Sequence, residues 1–188
     1  TLKEMLDEQI YLSPTKSVGI AKELCVALEY AHKQKVVHRD IKPQNIMFST
    51  NNHLRLCDFG VSAIPLEQTV PNAGSYPYAP YEQWRGVFDY TSDIYALGIV
   101  MFELLTGNLP YHGLNPLDYI ELHKSADIPS IPSKFKIPNK LEAIVKKCIA
   151  KSQDERYQTV KELLDELTKL SDKYLDISYS IDSGDSWN

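Results

Sequence analysis

The chain has 188 residues, 43% of them hydrophobic and 24% charged, with a net charge of −5 at pH 7. That length supports one sizeable core, and the ordinary composition makes a single globular domain the default. The acidic balance leaves no basic footprint for nucleic acid, and no apolar stretch reaches the length of a membrane span. No signal-peptide pattern opens the sequence. Cys25, Cys57 and Cys148 are odd in number, widely spaced and set in apolar runs, which predicts small buried hydrophobes in a reducing, cytoplasmic setting rather than disulfides. Cys57, directly before Asp58, is the thiol placed for reach by an electrophile. The five histidines lack the helical spacing of a two-ligand zinc site, and no internal repeat is present. The chain starts at Thr1 without an initiator methionine and runs at once into a helical pattern, as expected of a piece of something longer.

Residues 1 to 12 carry Leu2, Met5, Leu6 and Ile10 at helical spacing, which predicts a short amphipathic helix. Ser13-Pro14 supplies an N-cap and a first-turn proline for a long helix ending near Lys33, with Ile20, Leu24, Ala27, Leu28 and Ala31 inward. Val36-Val37 fits a small buried strand. Ile46-Met47-Phe48 and Leu54-Arg55-Leu56 flank the polar run Ser49 to His53, a β-hairpin pattern that brings Asn45 back beside Asp58. Val61 to Ser75, with Pro65, Pro71 and Gly74, has no helical or strand period. Thr91-Ser92-Asp93 caps a helix that runs to Thr106, stops at Gly107 and is apolar nearly all round, so it belongs in the middle of the domain. A turn over Leu109 to Gly113, a short helix over Pro116 to Lys124 and a proline-bearing connector from Ile128 to Pro138 follow. Leu141, Ile144, Val145, Cys148 and Ile149 line one further helix, and Val160, Leu163, Leu164, Leu167 and Leu170 the last. From Ser171 to Asn188 the acidic, serine-rich run reads as a linker or disordered tail. Tyr174, Leu175, Ile177, Tyr179 and Trp187 are its residues able to dock.

The chemistry concentrates between Val36 and Gly60. Asp40 can accept a proton from a hydroxyl, Lys42 can offset charge on a transferring phosphoryl group, and Asn45 and Asp58 offer the hard oxygens Mg²⁺ prefers. Phosphoryl transfer asks the protein mainly for positioning and charge neutralisation. His38-Arg39-Asp40-Ile41-Lys42-Pro43-Gln44-Asn45 resembles the catalytic loop of eukaryotic-type serine/threonine protein kinases of bacterial-like form. Asp58-Phe59-Gly60 resembles their metal-binding motif, in the right order and at a normal separation. The lysine two residues after Asp40 is the serine/threonine form. A chance polar loop in some unrelated domain is the competing reading, and two ordered motifs weigh against it.

The resemblance covers residues 1 to 170 and implies a mainly α fold with small β-hairpins, the kinase C-terminal lobe. It places the catalytic loop at 36–48 and the activation segment at 58–82. It implies that Asp40 and Lys42 are catalytic, that Asn45 and Asp58 hold Mg²⁺, and that Met47 floors the adenine of ATP. It further implies that Arg39 holds a phosphorylated residue of the activation segment. Thr69 is the first candidate for that phosphate and Ser62 the second; a plain exposed threonine is the other reading. Ser75 falls where the family has a hydroxyl bonded to the catalytic aspartate and lysine, and Glu82 pairs with Arg156. His38 and Phe59 are the lower part of a hydrophobic stack. Asp93 either ties its helix to the catalytic loop or serves as an ordinary cap, and both roles are compatible. One departure stands out: Ala79-Pro80 lies one position early relative to Glu82 in the expected Ala-Pro-Glu, which puts the shape of the peptide-docking loop in doubt.

No glycine-rich phosphate turn and no strand lysine precede Ser13. The expectation is therefore a serine/threonine kinase C-terminal lobe whose N-terminal lobe, in cis or in trans, must complete ATP binding before a protein substrate is phosphorylated. The alternatives are a kinase-like interaction or regulatory module without catalysis, and a helical scaffold unrelated to kinases.

Overall fold

The computed structural model describes residues 1–49, 53–59 and 75–170. The hairpin tip, the segment containing Ser62 and Thr69, and the expected tail after Leu170 lie outside the described residues.

Everything is assembled around the helix α4 (Tyr90–Thr106), in which fifteen of seventeen side chains are buried. An all-round apolar helix is stable only when neighbours cover every face. Here α2 (Pro14–Lys33) and α6 (Asn139–Cys148) pack directly against it, and α7 (Val160–Thr168) lies on α2 and α6. α1 (Leu2–Gln9) seats Leu2 and Leu6 in the same core. The approach of α6 is close enough to require Gly98: a Cβ there would stand 2.5 Å from Cys148 Cβ and 2.7 Å from Ile149 Cγ2. The strands β1 (Ile46–Phe48) and β2 (Leu54–Leu56) form the single two-stranded antiparallel sheet among the described residues, with Ile46 opposite Leu56. The short helix α3 (Tyr81–Trp84) and α5 (Pro116–Ser125) pack together. The molecule is mainly helical with one small hairpin, as the hydrophobic periodicity indicates, but Val36 and Val37, read from the sequence as a small buried strand, are half-buried and form no strand. Its connector from Ile128 to Pro138 holds one 3₁₀ turn, Ser133–Phe135.

Two boundaries differ from the sequence expectation. The first helix ends at Gln9 rather than at residue 12, because Ile10 turns to φ +63° with its N–H bonded to Leu6 O, and its side chain faces solvent instead of the core. The cap of α4 is Asp89, not the Thr91-Ser92-Asp93 run. Its carboxylate accepts from the N–H groups of Thr91 and Ser92, and Ser92 Oγ accepts from the Asp89 N–H in return. Asp89 fulfils the cap and leaves Asp93 for other partners.

Glu82 and Arg156 form a buried bidentate pair, 8% and 2% exposed, at 2.5 Å (Nη1 to Oε1) and 3.1 Å (Nη2 to Oε2). Arg156 also donates to the carbonyls of Ala150, Thr91 and Lys151, and Ser92 Oγ donates to Glu82. Every charge-bearing group is satisfied, so removing one partner strands the other. Glu82→Leu or Arg156→Leu is expected to lower unfolding free energy by about 3–5 kcal/mol. Urea denaturation followed by circular dichroism checks this, and a loss under ~1 kcal/mol for both would show that the pair is not a structural brace.

Candidate active site

Residues 38 to 45 leave α2 as a loop whose backbone is bolted to α4 by one carboxylate. Asp93, 1% exposed, accepts from the His38 N–H (2.9 Å, Oδ2) and the Arg39 N–H (2.9 Å, Oδ1). His32, in the last turn of α2, adds a third contact to Asp93 Oδ2 at 2.8 Å. Arg39 has φ +71°, the left-handed region that side chains with a Cβ seldom occupy. The conformation is clamped at both ends: Asp93 takes its N–H, and Gln83 Nε2 donates to its carbonyl at 2.7 Å. Of the two roles open to Asp93 from the sequence, the geometry shows the tie to the loop.

The clamp turns Asp40 toward a cluster of donors. Asp40 Oδ1 accepts from Ser75 Oγ at 2.5 Å, and Oδ2 accepts from Lys42 Nζ at 2.8 Å and Asn45 Nδ2 at 2.9 Å. Lys42 Nζ also donates to Ser75 Oγ (2.9 Å), and Asn45 Nδ2 to the Asp40 carbonyl (2.8 Å). Three of about four lone-pair positions on the carboxylate are thereby filled, which leaves Oδ1 one acceptor position for an incoming hydroxyl. Ser75 comes from a distant turn, Ser75–Tyr78, held by Tyr78 N–H and Ala79 N–H bonds to the Ser75 carbonyl and by Tyr78 Oη donating to Glu103 at 2.8 Å.

The hairpin brings the second motif in. Cys57 N–H donates to the Asn45 carbonyl at 2.8 Å, extending the ladder so that Cys57 stands opposite Asn45 and Asp58 follows as the next residue. Asp58 is exposed and, at φ +66°, is the second left-handed residue of the site. The Asn45 amide nitrogen is spent on Asp40, so its oxygen is the atom left for other use. One amide oxygen and one carboxylate fit Mg²⁺, which keeps several waters and takes few protein ligands. His38 locks the junction: its Nδ1 accepts from the Asp40 N–H (3.2 Å), which leaves Nε2–H to donate to the Cys57 carbonyl at 2.9 Å. Its ring meets Phe59 edge-on, with centroids 4.4 Å apart. Met47, 46% exposed, lies on the outer face of β1.

The structure thus brings together His38, Asp40, Lys42, Asn45, Phe59, Ser75 and Asp93, with Asp58 adjoining; Glu82 and Arg156 sit behind. Arg39 Cζ stands over the Phe88 ring at 4.8 Å. Thr69 lies outside the described residues. Sequence reasoning missed Gln83 and His32, whose contacts depend on helices distant in the chain; only the position of His32 in the last turn of α2 hinted at a charge partner. Beside the site, Val26, Tyr30, Val36, Leu56 and Phe59 line an open apolar groove of about 680 Å³. Burial pushes the Cys25 thiol up to about 12 and Cys148 well above its usual range, while Cys57 is only half-buried.

The Protein kinase domain family matches residues 1–167. The chain belongs to the protein kinase family. It is 35% identical, over 93% of its length, to a probable serine/threonine-protein kinase of Clostridium acetobutylicum. It is 34% identical, over 90% of its length, to the serine/threonine-protein kinase PknB of Mycolicibacterium smegmatis. The chain spans 28% of the length of each of these relatives. Its residues 38 to 45 hang on the Asp93 anchor.

That anchor is testable without turnover. Asp93→Asn retains the shape but replaces one acceptor with a donor facing a backbone N–H. Hydrogen bonds to a charged group contribute about 1.5–3 kcal/mol, so amide exchange at His38 and Arg39 is expected to rise roughly 10- to 100-fold. Exchange read by NMR at those two amides, with α6 amides as reference, measures it; unchanged protection at both would remove the anchor role.

Proposed function

We propose that the chain is the lower half of a serine/threonine protein kinase catalytic domain, transferring the γ-phosphate of ATP to a protein hydroxyl once an N-terminal lobe, in cis or in trans, completes the site. The observation that carries this reading is the Asp40 carboxylate, fixed by Ser75, Lys42 and Asn45 with one acceptor position open. Asp40 orients the acceptor hydroxyl of the substrate and takes its proton as the oxygen forms its bond to the γ-phosphorus, while the bond from that phosphorus to the bridging oxygen breaks and ADP leaves. Lys42 offsets the charge that collects on the transferring phosphoryl group. Asn45 and Asp58 hold Mg²⁺, which supplies neutralisation of the phosphate oxygens. Met47 floors the adenine, and Phe59 with His38 forms the base of a hydrophobic stack. Arg39 receives a phosphate carried on the activation segment, with Thr69 as its carrier. The apolar groove beside Phe59 supports an upper lobe as its cover, since exposed apolar surface of that kind marks an interaction site. No helix among the described residues is long and apolar enough to cross a membrane, and the three free cysteines suit a cytoplasmic location.

The second reading, a kinase-like interaction or regulatory module without catalysis, rests on the same groove. The two separate by experiment. The 188-residue chain alone is expected to show no peptide phosphorylation with MgATP and weak nucleotide binding, because its sequence has no glycine-rich turn or strand lysine of the kind that grips the triphosphate. The complete protein is expected to phosphorylate serine or threonine, and Asp40→Asn to lower its kcat by roughly 10²- to 10⁴-fold, the range of a lost general base. Radiolabel transfer to a peptide library, assayed for both variants, decides. A complete protein that binds MgATP yet labels neither peptide nor itself establishes the module instead.

A further inference from the structure

A second cavity, of about 310 Å³, opens between the end of α2 and the starts of α4 and α7, and it shares no lining residue with the groove beside Phe59. Its walls are mostly apolar. Tyr90 stacks on His32 with ring centroids 4.4 Å apart and planes 29° from parallel, and the buried Val160 adds an aliphatic side. Glu29, Lys33 and Lys161 supply the charges, two ammonium groups against one carboxylate. Both ammonium groups pair along their own helices, Lys33 with Glu29 and Lys161 with Asp165, each at 2.8 Å. The two lysines are exposed, and ion pairs of that kind in solvent contribute little, so each can exchange its partner for another anion at small cost. A cavity of this volume, with an aromatic wall, an aliphatic wall and a few charges at its rim, suits a small anion built on a flat ring.

His32 links the cavity to the active site. Its side chain is 9% exposed, and Nε2 meets Asp93 Oδ2 at 2.8 Å. The same oxygen accepts the His38 N–H, and a carboxylate that collects such donors has no proton to give, so Nε2–H is the donor to it. One wall of the cavity therefore stands a single hydrogen bond from the group that holds the backbone of His38 and Arg39.

We propose that this cavity is an effector site for a small aromatic carboxylate. The ring of the ligand lies against Tyr90, His32 and Val160, and its carboxylate bridges the Lys33 and Lys161 ammonium groups. Occupancy ties α2 to α7, holds the His32 ring on Asp93 and so steadies the loop that carries Asp40; a ligand that favours the anchored arrangement must shift the population toward it. Binding and its effect on the loop stand apart from the kinase reading, while any change in phosphoryl transfer rests on it.

The probe is 2-naphthoate, titrated into the 188-residue chain and followed by NMR, with the neutral 2-naphthamide as its matched control. A ligand of this size is expected to bind with a Kd of about 1 mM or tighter and to shift the amides of Tyr90, Val160 and Lys161. The naphthamide should bind at least ~3-fold more weakly. Lys33→Gln combined with Lys161→Gln removes both charges and keeps the side-chain stems. It is expected to weaken naphthoate roughly three- to tenfold and to leave naphthamide binding unchanged, which also reports that the variant is folded. At saturation, exchange at the His38 and Arg39 amides should slow roughly two- to fivefold, with α6 amides as reference. Absence of shifts at Tyr90, Val160 and Lys161 at about ten times the expected Kd overturns the site, as does equal binding of naphthoate and naphthamide or parent-like naphthoate binding in the double variant. Binding that leaves exchange at His38 and Arg39 unchanged overturns the link to Asp93.

Discussion

One carboxylate joins the core of this protein to its chemistry. Asp93 belongs to the most deeply buried helix, yet its two oxygens are spent on a loop more than fifty residues earlier in the chain. The three donors it collects come from two backbone amides and a histidine ring, so neither the loop nor α2 can shift without breaking a charge-assisted bond in a site closed to water. The helix is fixed by apolar burial, and Asp93 transfers that rigidity to the backbone of Arg39. Without it the left-handed backbone of Arg39, at φ +71°, would lose the clamp on its N–H, and Asp40 would lose its direction.

The second support works from the opposite side. Ser75 and Gln83 lie either side of the Tyr76–Pro80 stretch, and each reaches back to the loop of residues 38–45, one to the Asp40 carboxylate and one to the Arg39 carbonyl. The Glu82–Arg156 pair between them is buried and fully hydrogen-bonded, a combination that secures a geometry more than it adds stability. The shift of Ala79-Pro80 relative to Glu82 leaves this arrangement intact. Pro80 precedes α3, and Glu82, one residue into the helix, still faces Arg156.

Much of this was legible in the sequence where periodicity or motif carried it. The all-round apolar run from Ile94 to Leu105 placed the central helix, and the alternating pattern around Ser49 to His53 placed the hairpin that sets Asn45 beside Asp58. Local competition was harder to read. Asp89, Thr91, Ser92 and Asp93 are all capable caps within five residues, and only the three-dimensional partner of Asp93 reveals that Asp89 must fill the role. Ile10 fits the apolar face of the first helix by spacing alone, but the chain has to turn there to bring Leu12 N–H to the Leu104 carbonyl. Gln83 left no signal, because it acts through a backbone carbonyl that a distant loop presents, and His32 offered only its place in the last turn of α2.

The close approach at Gly98 has a mechanical consequence. With no side chain at Gly98, the backbone of α4 lies directly against the Cys148 and Ile149 side chains at the end of α6, and α6 leads into Ala150 and Lys151, whose carbonyls receive Arg156. There is no compressible layer between the central helix and the ion pair that braces the Ser75–Glu82 stretch. Core, brace and the loop that carries Asp40 are thereby geared together, so that none of the three can shift without moving the other two.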